Sequence, residues 1–252
     1  MAARKPLIAG NWKMHGRRAD LAEAAALQAA AGGALAKIDV LICPPAPYIE
    51  AAIAAVGASG VIVGAQDCSP VAADAARTGE VSAGMLSDVG ARYVIVGHSE
   101  RRALLGETDA VVRQKAEAAA AAGLAPIVCV GETQAEREAG QAATVVAGQV
   151  RASTPDTMQG LVVAYEPVWA IGGARTPTLE EIAEIHAVVR KQLAARYGAA
   201  GEAVRVLYGG SVNPKNAAEI FAVEGVDGAL VGRACLKASD FSAIINGHPA
   251  AL

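Results

Sequence analysis

The chain has 252 residues, of which 53% are hydrophobic and 19% charged, which is enough for a large core and argues against disorder. A net charge of −3 provides no basic face, so nucleic acid and anionic membrane are not expected as partners and any anion site must be built locally. Four scattered cysteines, Cys43, Cys68, Cys129 and Cys235, form no CxxC pair, which argues against disulfides and zinc and fits a reducing cytoplasm.

Behind the basic start Met-Ala-Ala-Arg-Lys, the apolar run is only Leu7–Ala9, too short for a signal-peptide core. No later window approaches the ~20 apolar residues of a membrane span. A soluble, untargeted, cytoplasmic chain is expected. Short apolar runs then recur at Val40–Cys43, Val61–Gly64, Tyr93–Val96, Pro126–Val130, Leu161–Tyr165, Val204–Leu207 and Gly228–Val231, each suited to a buried parallel strand. Between them lie alanine-rich amphipathic stretches, among them Asp20–Ala31, Asp109–Ala122, Ala142–Ala152, Leu179–Tyr197 and Asn216–Ala222. Thr133 with Glu136, and Thr178 with Glu181, have capping-box spacing at helix starts. In the stretch from Leu179, residues Leu179, Ile182, Ile185, Val188 or Val189, and Leu193 share one helical face. Strand alternating with helix implies an α/β fold with a parallel sheet. Eight strand-like runs favour a closed (β/α)8 barrel over an open doubly wound sheet, and no linker divides residues 1–252, so one domain is expected.

One loop departs from the pattern. Gln66–Gly79 is far longer than the usual 2–6 residues of a βα connection, carries Pro70, several alanines and Arg77, and is expected to be an interface element.

Barrel enzymes place their chemistry at the C-terminal strand ends. After the first run come Asn11 and Lys13, two apart and therefore on one side of an extended chain. Taken alone, that pair reads as a solvated lysine. After the fourth comes Gly97-His98-Ser99-Glu100-Arg101-Arg102, in which Ser99 and Glu100 start a helical turn whose N–H groups favour a neutral His98. Arg101 and Arg102 are expected to pair with carboxylates such as Glu80, Glu107 or Glu132. The sixth run ends on Glu166, which Pro167 holds extended as the last strand residue. An apolar segment (Val168, Trp169, Ala170, Ile171) and a Gly172–Gly173 pair follow, either a packed loop or a lid over a carboxylate base. After the seventh and eighth runs, Tyr208-Gly209-Gly210-Ser211 and Val231-Gly232-Arg233-Ala234 occupy the places where barrels often bind phosphate, and Gly172 can add an N–H. There is no nucleophile with an adjacent base, no metal-ligand cluster, and neither GxGxxG nor Walker A spacing. The set suits proton abstraction beside the carbonyl of a small phosphorylated substrate.

In order along nearly the whole chain, Gly10-Asn-Trp-Lys-Met, Gly97-His-Ser-Glu-Arg-Arg, Ala164-Tyr-Glu-Pro-Val-Trp-Ala-Ile-Gly, Tyr208-Gly-Gly-Ser and Leu230-Val-Gly resemble the triosephosphate isomerase family. The resemblance implies a TIM barrel that isomerises a phosphorylated triose in glycolysis and gluconeogenesis, without cofactor or metal. By resemblance, Glu166 is the base, neutral His98 the electrophile and proton shuttle, Lys13 the cation, and Asn11 a positioning group. Gly172, Ser211, Gly232 and Arg233 would grip phosphate, chiefly through backbone N–H groups. Pro167, Val168, Trp169, Ala170, Ile171, Gly172, Gly173, Ala174, Arg175 and Thr176 would form the lid, with Ile171 and Leu230 pressing on Glu166 when it closes. Thr78, Gly79 and Glu80 would belong to a loop that enters a second subunit and buttresses its Asn11, Lys13 and His98, which implies a homodimer. Cys129 is expected to be a packed thiol, and His15, His186 and His248 surface or interface residues.

The chain departs from the family at Gly173-Ala174-Arg175 and Pro177 in the lid, where Gly-Thr-Gly-Lys is common, and at Arg233, often glycine. It departs also at His15, often asparagine, and at Ala76-Arg77, where the loop tip is usually more aromatic. None removes a catalytic group. Another phosphosugar isomerase or lyase would lack the Asn11, Lys13, His98 and Glu166 set, and a non-catalytic barrel would have lost part of it or its lid.

Overall fold

A computed structural model describes residues 4–171 and 175–251. Eight parallel strands follow the apolar runs: β1 (Leu7–Asn11), β2 (Asp39–Cys43), β3 (Val61–Ala65), β4 (Tyr93–Val96), β5 (Ala125–Val130), β6 (Val162–Tyr165), β7 (Arg205–Tyr208) and β8 (Gly228–Val231). They close in sequence order, and β1 pairs back to β8 through Leu7↔Gly228 to Gly10↔Val231. A closed parallel sheet leaves no unpaired edge and must be covered by helices, which is why these strands read as continuous apolar runs.

The core divides into two layers by strand parity. Leu7, Ala9, Leu41, Cys43, Ile95, Ile127, Cys129, Val162, Ala164, Leu207 and Leu230 fill the barrel interior. Their neighbours Ile8, Val40, Ile42, Val94, Val128 and Val163 face outward into a second cluster with the helices. The inward parity ends β1 on Asn11 and, continued one step past β4 to β8, gives Gly97, Gly131, Glu166, Gly209 and Gly232. Two polar side chains and four glycines at the mouth leave room above a solid interior.

The helices lie where the sequence places them, including Leu21–Ala31, Asp109–Ala121, Ala142–Ser153, Leu179–Tyr197 and Ala217–Phe221. Both capping boxes form: Thr133 accepts from the Glu136 N–H and Thr178 from the Glu181 N–H, each carboxylate reaching back to its cap residue. Such caps contribute about 1 kcal/mol each by satisfying N–H groups with no helical partner.

Three expectations are corrected. Leu179 is 39% exposed, because at 100° per residue it stands about 70° from the centre of the buried stripe formed by Ile182, Ile185, His186, Val189 and Leu193. His186 is part of that stripe and wholly buried, not on the surface: Nδ1 meets the Gly225 carbonyl at 3.1 Å and the ring packs edge-on to Tyr165. His248 is also buried, packed on Phe221 while its Nδ1 accepts the Ala250 N–H. His15 is exposed as expected. No helix among the described residues is long and apolar enough to cross a membrane.

Burial of His186 pushes its pKa down to about 4, with the Gly225 carbonyl only partly offsetting the lost hydration of the cation. The unfolded chain therefore takes up a proton near pH 6.5 that the folded one refuses until about pH 4, so stability is lost as pH falls through that window. Urea unfolding at pH 7 and pH 5 should show this group removing about 2 kcal/mol between them. In His186→Gln that share of the pH slope should vanish.

Candidate active site

Asn11, Lys13, His98, Glu166, Ser211, Gly232 and Arg233 sit at or just beyond C-terminal strand ends. Asn11 closes β1 and is buried, its Oδ1 accepting the Lys13 N–H at 2.9 Å. Lys13 is the one non-glycine residue with positive φ among the described residues, at 53°. The two are therefore joined by a tight turn and not by the extended-chain alternation expected from their spacing. A left-handed backbone costs an L-residue about 1–2 kcal/mol, and here neighbouring groups hold it in place. Gln66 Nε2 donates to the carbonyls of both Lys13 and Cys43, at 2.8 Å each, from the start of the loop after β3. The Lys13 ammonium pairs with Glu100 at 2.6 Å, and its chain runs beside Gly232.

His98 caps the helix Ser99–Leu105, and its Nδ1 accepts the Glu100 N–H at 3.2 Å. That bond requires a lone pair on Nδ1, so the ring proton is on Nε2. Nε2 meets Glu166 Oε1 at 2.9 Å, and Glu166 Oε2 accepts the Ser99 N–H at 2.9 Å. Glu166 lies one residue beyond β6, not within it: its N–H still bonds the Val130 carbonyl, but Pro167 follows with no N–H to extend the ladder. A Cβ on Gly131 would overlap the Glu166 carbonyl, and one on Gly209 would stand 2.8 Å from its Cγ. Glycine at both places is what admits the carboxylate.

Both groups are almost fully buried. Burial pushes the Glu166 carboxyl up, but His98, the Ser99 N–H and the Cys129 thiol together hold it below the usual carboxylate range. Burial pushes His98 down, and the adjacent Glu166 outweighs it and raises it above the ordinary histidine value. Once the carboxylate turns away from the ring, that raising influence goes, while burial and the Glu100 N–H continue to favour the neutral imidazole. Cys129 is fully buried, its thiol pushed well up by burial and by Glu166, a protonated packed group as expected.

The segment expected to form a lid begins with Pro167 and a 3-10 turn, Val168–Ala170. Trp169 Nε1 donates to Glu132 at 2.7 Å, and the same oxygen accepts the Tyr165 hydroxyl at 3.1 Å. Glu132 is wholly buried, a role the sequence did not reveal because its partners come from β6 and the lid. Ser211 points to the lid, its hydroxyl donating to the Ala170 carbonyl at 3.1 Å. Ile171 is half-buried, Leu230 buried, and Arg175 and Thr176 exposed. Gly172, Gly173 and Ala174 lie outside the described residues. Gly232 caps the short turn Arg233–Leu236, and the Arg233 side chain is exposed.

Around the site, Arg101 pairs with Asp67 and Glu107, and Arg102 with Asp109. Of the three carboxylates expected for these arginines only Glu107 is used. Glu80 instead binds Ser69 and Arg77 within its own loop, and Glu132 accepts from Trp169. Thr78, Gly79 and Glu80 are exposed on that loop, and a groove of about 700 Å³ runs from it past Asn11, Lys13, Met14 and His98. Among the described residues no group of His, Cys, Asp or Glu is arranged to hold a metal ion.

Comparison with known proteins agrees with this fold. The family model described as triosephosphate isomerase matches residues 6–248. The triosephosphate isomerase of Afipia carboxidovorans is 59% identical over 247 residues, covering 97% of this chain and 98% of that protein. That of Xanthobacter autotrophicus is 55% identical, covering 99% of each chain. The crystal structure of triosephosphate isomerase from Bartonella henselae superposes with a TM-score of 0.88 at 41% identity, covering 96% of this chain and 98% of that one.

The turn at Lys13 makes a stability prediction separable from chemistry. Lys13→Gly and Lys13→Ala both lose the ammonium, but only alanine retains the left-handed strain. Chemical denaturation should find the glycine variant more stable than the alanine variant by about 1 kcal/mol. Equal stability would mean that the turn is unstrained.

Proposed function

The chain belongs to the triosephosphate isomerase family, whose enzymes interconvert dihydroxyacetone phosphate and D-glyceraldehyde 3-phosphate, and we propose that Glu166, His98, Lys13 and Asn11 carry this reaction here. The observation that carries the assignment is the Glu166 carboxylate set 2.9 Å from His98 Nε2 at the barrel mouth, with the Lys13 ammonium in the same layer.

Glu166 removes a proton from the carbon beside the carbonyl. The C–H electron pair becomes the carbon–carbon double bond of an enediolate, and the carbonyl electrons move onto oxygen. Nε2–H of His98 donates to that oxygen, and Lys13 balances its negative charge. Return of the proton to the neighbouring carbon, with a proton moved between the two oxygens through His98, completes the exchange. To act, the carboxylate leaves the Ser99 N–H, giving up bonds that lower its pKa while remaining buried, so its basicity rises at the moment of use.

The phosphate is held by N–H groups of Gly172, Gly232 and Arg233 and by Ser211, which exchanges the Ala170 carbonyl for a phosphate oxygen. Pro167–Thr176 closes over the enediolate, excluding water and disfavouring loss of phosphate, while Ile171 and Leu230 press on Glu166. The enzyme acts in the cytoplasm on a phosphorylated triose. It works as a homodimer in which the exposed Thr78–Glu80 tip of one subunit enters the groove beside Lys13 of the other. Met14 at 94% exposure, with Leu105 at 64% on the same groove, supports this reading, since large apolar side chains are rarely left so open.

Glu166→Gln keeps the shape of the side chain and removes the base. Turnover of glyceraldehyde 3-phosphate should fall by about three or more orders of magnitude with the fold unchanged; near-wild-type turnover would remove Glu166 from the role. Sedimentation at dilute concentration should show twice the chain mass, and a fully active monomer would contradict the loop assignment.

A further inference from the structure

Two ends of the lid meet on one guanidinium. Trp169 stands near the start of the segment and Arg175 near its end, and the Arg175 guanidinium carbon lies 4.8 Å from the centroid of the indole ring. The other side of that guanidinium is held by Glu181 at 2.5 Å. Glu181 is itself held in place: its second oxygen accepts the Thr178 N–H at 2.9 Å in the capping box of the 19-residue helix Leu179–Tyr197. It also pairs with Arg137 at 3.1 Å, whose guanidinium lies 5.9 Å from the same indole. The indole N–H is tied to buried Glu132. Trp169 is thus fixed by its N–H to the barrel, and by its ring to a cation anchored on the first turn of the next helix.

This arrangement coexists with the carboxylate of Glu166 turned to Ser99 and with Ser211 donating to Ala170. Neither group is then free for substrate. Displacing Trp169 requires leaving the Glu132 oxygen and either unstacking Arg175 or pulling it from Glu181. Arginine can make both contacts at once, because its plane stacks on an aromatic face while its edge binds a carboxylate. A lysine could keep the charge pair but not the planar stack.

We propose that Arg175 is a positioning residue that latches both ends of the lid in the withdrawn arrangement, so that its loss favours the closed, ligand-bound one. The proposal rests on reading 167–176 as a lid over Glu166. It concerns the open–closed balance and not the proton transfer. A ligand that binds the closed form gains apparent affinity by the factor through which the open form is destabilised.

The test compares wild type, Arg175→Ala and Arg175→Lys by binding of glycerol 3-phosphate, the substrate with its carbonyl reduced, which cannot be isomerised. Binding is followed by the fluorescence of Trp169, isolated by difference from Trp169→Phe. Arg175 is exposed at its side chain, so the variants should keep the fold, which far-UV circular dichroism checks. Arg175→Ala should bind glycerol 3-phosphate about three- to tenfold more tightly and lower KM in parallel, from loss of one cation–aromatic contact and one partly exposed ion pair. Its ligand-free Trp169 signal should already lie part of the way towards the bound one. Arg175→Lys should fall between the two. Affinity within twofold of wild type in Arg175→Ala, or weaker binding, would overturn the latch, as would a Trp169 signal indifferent to ligand in wild type. Because this binding involves no proton transfer, an active Glu166→Gln would remove the base assignment and leave the latch standing.

Discussion

Everything at the mouth of this protein depends on barrel closure in a fixed register. Once β1 pairs with β8, alternate residues on every strand must point to the axis, and the interior fills with Leu, Ile, Val and Ala until no space remains. The next inward position on each strand is the first that can be polar or empty. Asn11 and Glu166 take two of these positions, and Gly97, Gly131, Gly209 and Gly232 take four others. A one-residue slip in β6 would exchange its inward and outward sets and send Glu166 into the helix layer. The packed interior gives the Glu166 carboxylate a solid floor to stand on.

On that platform the electrostatics are arranged by backbone as much as by charge. The Glu100 N–H fixes which nitrogen of His98 carries its proton, the Ser99 N–H holds the carboxylate, and Gln66 keeps Lys13 in a strained turn. Two of these donors belong to a helix start, and the third ties the turn at Lys13 to the end of β2. The pair His98 and Glu166 stabilises charge on the carboxylate while it waits. The same burial that opposes charge makes that carboxylate a stronger base once those bonds are released.

The connection after β6 uses the same economy of parts. Glu132, buried beyond β5, takes both the Tyr165 hydroxyl and the Trp169 N–H. Glu181 caps a helix, pairs with Arg137 and holds Arg175. Each carboxylate joins the connection after β6 to another part of the barrel, so the position of Trp169 and Arg175 is set by residues outside that connection.

The sequence by itself determined the eight strands, the longer helices and which polar residues stand at the strand ends, because two-sided burial writes unbroken apolar runs, caps write Thr-x-x-Glu, and Glu166-Pro167 writes a strand end. Strand limits moved by one or two residues, and Glu166 fell just outside β6, since ladder ends are decided by the neighbouring strand. Tertiary structure alone decided the rest. His186 and His248 proved buried because packing with Tyr165 and Phe221 overrides their usual surface preference. The partners of Arg101, Arg102 and Glu132 lie on other elements, and the left-handed turn at Lys13 is braced by Gln66, 53 residues away. Local patterns record which way a residue faces; which charged group it meets there depends on how distant segments of the chain come together.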